Sequence, residues 1–144
     1  MEVNAELSET TRCLCLASRR AARAITRQFD REFRAHGLKA TQFTLLAVLT
    51  LEGPTAIGAL AEILGADRTT VTRNLAVVEH QGFVRIETGP DARSRIASVT
   101  TKGRQTLAKA FVSWRRVQAS LIETIGPQTV DSLNMLSVGP PFRS

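Results

Sequence analysis

The sequence predicts a mainly α-helical fold with one small β-hairpin. Three observations support this. Residues 11–34 contain no Gly or Pro and repeat apolar residues every four positions; two further helical patterns are separated only by Gly65-Ala66; and residues 83–87 alternate like a strand before a Gly-Pro turn. A chain of 144 residues is long enough for one compact domain.

The first long helix is expected over residues 11–34. Its arginines recur every four residues, and its apolar residues recur at the same step on the opposite face, so the helix is amphipathic with one basic side. The arginines are Arg19, Arg23, Arg27 and Arg31. Gly37 fits a left-handed cap after His36, with Leu38 making the accompanying apolar contact.

Two shorter helices follow. Thr41 is the expected cap of the first, which runs to residue 51 and stops because Pro54 disfavours helical conformation in the residue before it. The next is expected to start near Thr55 and to end at Gly65. Another helix begins two residues later, so this region predicts a helix-turn-helix.

The helix after that turn has Asp67 as its predicted N-cap and extends to about residue 81. Its inward residues are expected to be Val71, Leu75 and Val78. Strands at 83–87 and 95–99 then form a hairpin, which makes the fold a winged helix-turn-helix. A long helix over 101–125, a short one over about 128–137 and a frayed tail from Gly139 complete the chain.

The charge balance indicates a polyanionic partner. Nineteen Lys and Arg residues against thirteen Asp and Glu give a net charge of +6 and a pI near 10.6, and nearly all the basic residues are arginine. Arginine suits bidentate recognition of phosphate and guanine, so double-stranded DNA is the expected partner. The sequence encodes no transmembrane helix and no secretory signal, so we expect a cytoplasmic protein without a membrane partner.

The helix after Asp67 carries the groups expected to read DNA. With its buried side occupied, Thr69, Thr70, Arg73 and Asn74 point outward, and Arg68 stands at its start. Arg73 can donate two hydrogen bonds to a guanine and Asn74 can pair with an adenine edge in the major groove. The alternative is a solvated polar face, which a helix-turn-helix pattern alone does not exclude.

The hairpin favours the DNA interpretation. Its tip carries Arg93 and Arg95, which can follow the backbone into the neighbouring minor groove. Asp91 is unsuited to touching phosphate. We expect it to brace the tip by accepting hydrogen bonds from an arginine or from turn amides.

Two blocks, "ILGADRTTVTRNLAVVEHQGFVR" and "DARSRIASVTTKG", resemble the MarR family of bacterial winged-helix regulators. The resemblance covers about residues 10–138. It implies a homodimer clamped by helical regions 1–36 and 101–144, a DNA-binding region over 37–100, and a small-ligand cleft between them. It also implies a recognition helix carrying Arg73 and a wing carrying Arg93. The chain departs from the family around Asn74 and in its short C-terminal segment.

Cys13 and Cys15 leave a redox hypothesis open. If both lie on the first long helix, they are about 200° apart around its axis and cannot pair without unwinding it. A disulfide to a partner subunit, or one reactive thiol beside Arg12 or Arg19, stays open. Buried or idle packing is the favoured interpretation, because free cysteine so often packs as a small apolar residue.

A ligand cleft has several candidate lining residues. The large aromatic side chains are more often core residues, and helix-end histidines seldom have a further role. The candidates are Arg20, His36, Phe43, Phe111 and Trp114. His36 and His80 lack neighbouring ligands at metal spacing, so no metal and no cofactor is expected.

We therefore expect a sequence-specific DNA-binding transcriptional regulator, a repressor that a small-molecule ligand releases from a pseudo-palindromic operator. The alternatives are a thiol-based redox sensor acting through Cys13 and Cys15, and a winged-helix module that binds an acidic protein. An enzyme is not expected. The chain shows no nucleophile with a neighbouring base, no phosphate-binding glycine loop and no tyrosine.

Overall fold

The computed structural model describes residues 2–137 and confirms a mainly helical chain with a small antiparallel sheet. The tail expected from Gly139 lies outside the described residues. The elements are α1 (Glu2–Leu7), α2 (Leu14–Phe33), α3 (Ala40–Glu52), β1 (Thr55–Ala56), α4 (Ile57–Leu64), α5 (Arg68–His80), β2 (Val84–Thr88), β3 (Arg95–Val99), α6 (Thr101–Ile125) and α7 (Thr129–Asn134).

The N-terminal region differs from the single helix that was expected from residue 11. A 3-10 turn at Ser8–Arg12 follows α1, and Cys13 is extended (φ −66°, ψ 125°) before α2 begins at Leu14. The predicted cap at the other end of α2 is confirmed. Gly37 is left-handed (φ 69°), and the amide of the buried Leu38 donates to the Phe33 carbonyl at 3.2 Å.

The predicted cap of α3 at Thr41 is wrong. The helix begins at Ala40, and its N-cap is Lys39, whose amide donates to Oε1 of Gln42 at 3.1 Å. The amide of Ala40 donates to Oδ1 of Asp30 at 2.7 Å. A carboxylate from α2 therefore satisfies an N-terminal amide of α3, a tertiary contact that local sequence does not reveal.

The hairpin is part of a three-stranded sheet of order β1-β3-β2. Thr55 and Ala56, expected to start a helix, instead form β1, with Thr55 opposite Ala97 and Ala56 opposite Ile96. In the hairpin itself, Val84 is opposite Val99 and Thr88 is opposite Arg95. The third strand ties the wing to the start of α4.

One buried cluster joins the helices and the sheet. It takes side chains from α3, α4, α5 and the hairpin, and the predicted inward residues of α5 are all within it. The fully buried large side chains are Phe33, Leu45, Leu46, Val48, Leu49, Leu60, Val71, Leu75 and Val78. The helix-turn-helix and the wing therefore share one core, which holds α5 and the hairpin in a fixed relation.

Helix α6 begins directly against the hairpin. Thr100 caps it by accepting the Gly103 amide at 3.0 Å, and the same hydroxyl donates to the Gly82 carbonyl at 2.6 Å. A Cβ at Gly103 would overlap the carbonyl of Phe83, so only glycine fits there. Within residues 2–137, no helix combines the length and the apolar character needed to cross a membrane.

Candidate nucleic-acid interface

Asp67 caps the N-terminus of α5, as predicted. Its Oδ1 accepts the amide of Thr70 at 2.7 Å. This backbone hydrogen bond, then the Thr70 hydroxyl and the nearby Arg73 charge, hold the pKa of Asp67 below its usual value. The first turn of α5 is therefore anchored while its outer side remains open.

The outer side of α5 presents a polar surface. Thr69, Thr70 and Arg73 are exposed, as predicted, whereas Asn74 is half-buried. Thr70 and Asn74 border a cavity of about 340 Å³ between α5 and helices α2 and α3. Asn74 therefore lies at the edge of this surface, and its role in reading a base stays a prediction.

Arg68 has a different orientation from Arg73. It is the first residue of α5, and its Cζ would lie 3.8 Å from a Cβ placed on Gly58. It lines a pocket of about 260 Å³ between α5 and the wing. Arg68 therefore faces the wing and not the outer side of the helix.

The wing carries Arg93 and Arg95, both exposed and both lining the pocket with Arg68. Oδ1 of Asp91 accepts the Arg93 amide at 3.1 Å, and its carbonyl accepts the Ser94 amide at 2.9 Å. We expected Asp91 to accept hydrogen bonds from an arginine side chain or from turn amides, and in the structure its carboxylate accepts one from a turn amide. The wing tip is thus ordered by its own backbone while its arginine side chains stay available.

A separate cavity of about 570 Å³ lies between α3 and α6. Phe43, Phe111 and Trp114 line it, so three of the candidate cleft residues come together. Their rings stack in sequence, with centroid distances of 6.4 Å for Phe43–Trp114 and 5.3 Å for Phe111–Trp114. Phe43 is also buried in the core, so the cavity wall and the core share this residue.

The other two candidates lie elsewhere. Arg20 is exposed on α2, and His36 lies against α6, where its Nε2 is 3.2 Å from Oγ of Ser113; neither lines the cavity. Sequence reasoning missed Arg104, which does line it. The signal was present, because Arg104 precedes Leu107, Ala108 and Phe111 at helical spacing on one face of α6.

Both thiols are exposed in the single chain, so the chain does not bury them by itself, and the idle alternative of the favoured interpretation stays a prediction. Cys13 precedes α2 and Cys15 lies in its first turn, so they do not both sit on the helix. The 200° separation expected between them therefore does not apply. Within residues 2–137, no group of three or more His, Cys, Asp or Glu residues is arranged to hold a metal ion.

This architecture matches those of known transcriptional regulators. A sequence model of the MarR family matches residues 36–94, which contain the helix-turn-helix and the first part of the wing. The M. tuberculosis transcriptional regulator MosR, solved in complex with DNA, is 41% identical, with 87% of this chain and 93% of that chain covered and a TM-score of 0.80. The chain belongs to the MarR family of transcriptional regulators.

Two further proteins are similar to this chain. The uncharacterized HTH-type transcriptional regulator YkoM of Bacillus subtilis (strain 168) is 28% identical over 118 residues, covering 81% of this chain and 77% of that protein. Wild-type MarR from E. coli is 19% identical with a TM-score of 0.67, covering 85% of this chain and 93% of that chain. The second likeness extends the shared fold well beyond close sequence similarity.

Proposed function

We propose that this MarR-family regulator binds DNA sequence-specifically, with α5 in the major groove and the wing in the adjacent minor groove. The observation that carries the proposal is the capped helix α5, whose exposed Thr69, Thr70 and Arg73 stand beside a wing with exposed Arg93 and Arg95. These are groups that read base edges and phosphates. The relative MosR, at 41% identity, was solved with DNA.

The DNA-binding form is a homodimer in this proposal. Residues 3–24 are all exposed in the single chain, and large apolar side chains on α2 and near α7 have no cover: Leu14 is 81% exposed and Met135 is 85% exposed. Apolar surface of this kind at both ends of a chain is typical of an interface. A two-fold dimer would meet half-sites roughly 34–36 Å apart on a pseudo-palindromic operator.

Control by a small molecule is the second part of the proposal. The 570 Å³ cavity is walled by Phe43, Phe111 and Trp114 and lies between α3 and α6. A ligand there would lower DNA affinity if it bound better to a conformation that spaces the two recognition helices wrongly for the operator. In this mode of regulation, the protein represses transcription while it is bound to the operator, and the ligand relieves that repression.

Selection of genomic DNA fragments on the purified protein tests the central proposal. We expect enrichment of a pseudo-palindromic sequence, which then shifts in gels at moderate salt while a scrambled duplex does not. A compound screen against that complex tests ligand release. Fragments enriched without any shared sequence would contradict specific DNA binding and favour the winged-helix module that binds an acidic protein.

A thiol switch is a second candidate, supported by the exposure of Cys13 and Cys15 at the junction of the 3-10 turn and α2. Cys13 is not held inside a helix, so its thiol can move toward Cys15 or toward a partner subunit. A peroxide would accept two electrons and two protons from two thiols, giving a disulfide and water. Diagonal gels of peroxide-treated protein, with Cys13→Ser and Cys15→Ser as controls, would detect it. Unbridged monomer with unchanged DNA affinity would contradict the switch.

A further inference from the structure

Three arginines from two separate parts of the sequence line one pocket between α5 and the wing. Arg68 comes from the start of α5, and Arg93 and Arg95 come from the wing tip and β3. The pocket has a volume of about 260 Å³, and its apolar floor is formed by Ile57, Leu75 and Ile86. The floor is thus apolar and the rim is basic.

The helical register of α5 directs Arg68 to this pocket. Residues four and eight positions further on, Thr72 and Ala76, line the same pocket, so one side of α5 faces the wing. Arg73 lies on a different side and is absent from the pocket lining. Helix α5 therefore presents polar side chains on two exposed sides, one facing outward and one facing the wing.

The pocket has an excess of positive charge. None of its three arginines forms an ion pair with a residue that the structure describes, whereas Arg85 on the same hairpin pairs with Glu87 at 3.0 Å. Glu79 is the single acidic residue in the pocket lining. Guanidinium groups gathered in this way repel one another until an anion enters, and a phosphate accepts bidentate hydrogen bonds from arginine.

We propose that Arg68, Arg93 and Arg95 jointly bind a single phosphate group of the DNA backbone, at the point where the strand passes from the major groove at α5 to the minor groove at the wing. The pocket lies between the two elements that the proposed function assigns to those grooves, so a strand crossing between them must pass it. The inference rests on that proposed function. It adds a site at which the two elements act on the same phosphate, not on separate ones.

Single methylphosphonate substitutions along the operator test this, because each removes one backbone charge without changing a base. For the wild-type protein, we expect one position per half-site at which the neutral linkage lowers affinity by about ten- to a hundredfold, the size of a hydrogen bond to a charged group. Arg68→Ala and Arg95→Ala should each reduce that sensitivity. The affinity loss of their double variant should be smaller than the sum of the two single losses, because both side chains contact the same phosphate.

Matched controls separate this site from general charge effects. Arg85→Ala removes an arginine from the same hairpin but outside the pocket, and it should keep full sensitivity at the identified phosphate. Arg73→Ala should also keep it. Circular dichroism spectra and melting curves should be measured for every variant, to verify that each one remains folded.

The experiment distinguishes failure of the phosphate proposal from failure of the proposed DNA binding. If the wild-type protein binds its operator specifically and no phosphate is coupled to Arg68, the inference is overturned while the proposed function stands. Absence of any specific operator would instead overturn the proposed function. Titration of inorganic phosphate into DNA-free protein distinguishes the source: binding that Arg68→Ala abolishes, without a coupled operator phosphate, would assign the pocket to a free anion and overturn the backbone contact.

Discussion

Oδ1 of Asp67 accepts the amide of Thr70 at 2.7 Å and closes the first turn of α5, the helix that carries Arg73. Thr70 also has its hydroxyl in contact with the same carboxylate, and Arg73 lies close enough to favour its charge. A residue outside the helix thereby orders the turn that the proposed function places nearest the DNA.

Removing this cap should destabilise the protein in a pH-dependent way. The folded-state pKa of Asp67 is lowered, so the stabilisation is present above the unfolded pKa, about 3.9, and is lost as pH falls through the folded pKa. Asp67→Ala should therefore melt at a lower temperature than the wild type at neutral pH, and the difference should shrink in acid below about pH 4.

Asp67→Ser is the matched control for that prediction. Serine keeps a capping oxygen but has no titrating carboxylate. It should melt closer to the wild type at neutral pH than Asp67→Ala does. Equal melting temperatures for Asp67→Ala and the wild type at neutral pH would show that the cap adds nothing to stability.

Arg73 should contribute to sequence preference. Arg73→Ala should cost about 1–3 kcal/mol on the cognate operator and relax preference at one base pair, because it removes the bidentate guanine contact that we propose for Arg73. Arg73→Lys keeps the charge but not the planar pair of donors, so it should lose preference while retaining most of the affinity for scrambled DNA. Binding titrations on both duplexes measure this. A loss of equal size on both would make Arg73 a phosphate contact.

Local sequence was sufficient to predict α5 and the hairpin. Asp67 is a strong N-cap, Val71, Leu75 and Val78 are spaced for one buried side, and β2 and β3 alternate around a Gly-Pro turn, so each element depends on residues close to it in the chain. The start of α3 was mispredicted because its amide is satisfied by Asp30 from another helix. Contacts of that kind have no local pattern.

In the candidate site too, features that depend on local sequence could be predicted and features that depend on tertiary contacts could not. The exposure of Thr69, Thr70 and Arg73 could be predicted from helical spacing. The turn of Arg68 toward the wing could not, because it depends on where the hairpin packs against α5. The break before α2 at Cys13 was also missed, because composition favours a continuous helix there.

Arg93 should act through charge on many sequences. Arg93→Ala should weaken binding to cognate and unrelated DNA alike and reduce the slope of log K against log salt by about 0.9 for each phosphate that the variant leaves unneutralised. Arg85→Ala should leave the slope nearly unchanged, because Glu87 already neutralises that arginine. Affinity measured over a salt series checks both variants. An unaltered slope for Arg93→Ala would show that Arg93 itself neutralises no backbone phosphate.

Gly103→Ala should destabilise the fold even though alanine is the better helix former. A Cβ at this position would overlap the backbone carbonyl of Phe83, which cannot move without disturbing the hairpin. Overpacking of this kind costs about 1–3 kcal/mol. Gly58→Ala is the control, since its Cβ would meet only ordinary contacts and replaces a helical glycine, so it should be neutral or stabilising. Denaturant unfolding gives the sign of each change.

Filling the 570 Å³ cavity tests the proposed control by a small molecule. Ala47 lines the cavity from α3, opposite the aromatic side chains of α6, so Ala47→Phe would occupy the space between them. We expect operator affinity close to that of the wild type, because Ala47 lies on neither α5 nor the wing, together with loss of release by compounds that free the wild-type protein. Ala35→Phe makes the same change at an exposed position outside the cavity and should leave release intact. Release of Ala47→Phe at wild-type compound concentrations would place the ligand at another site.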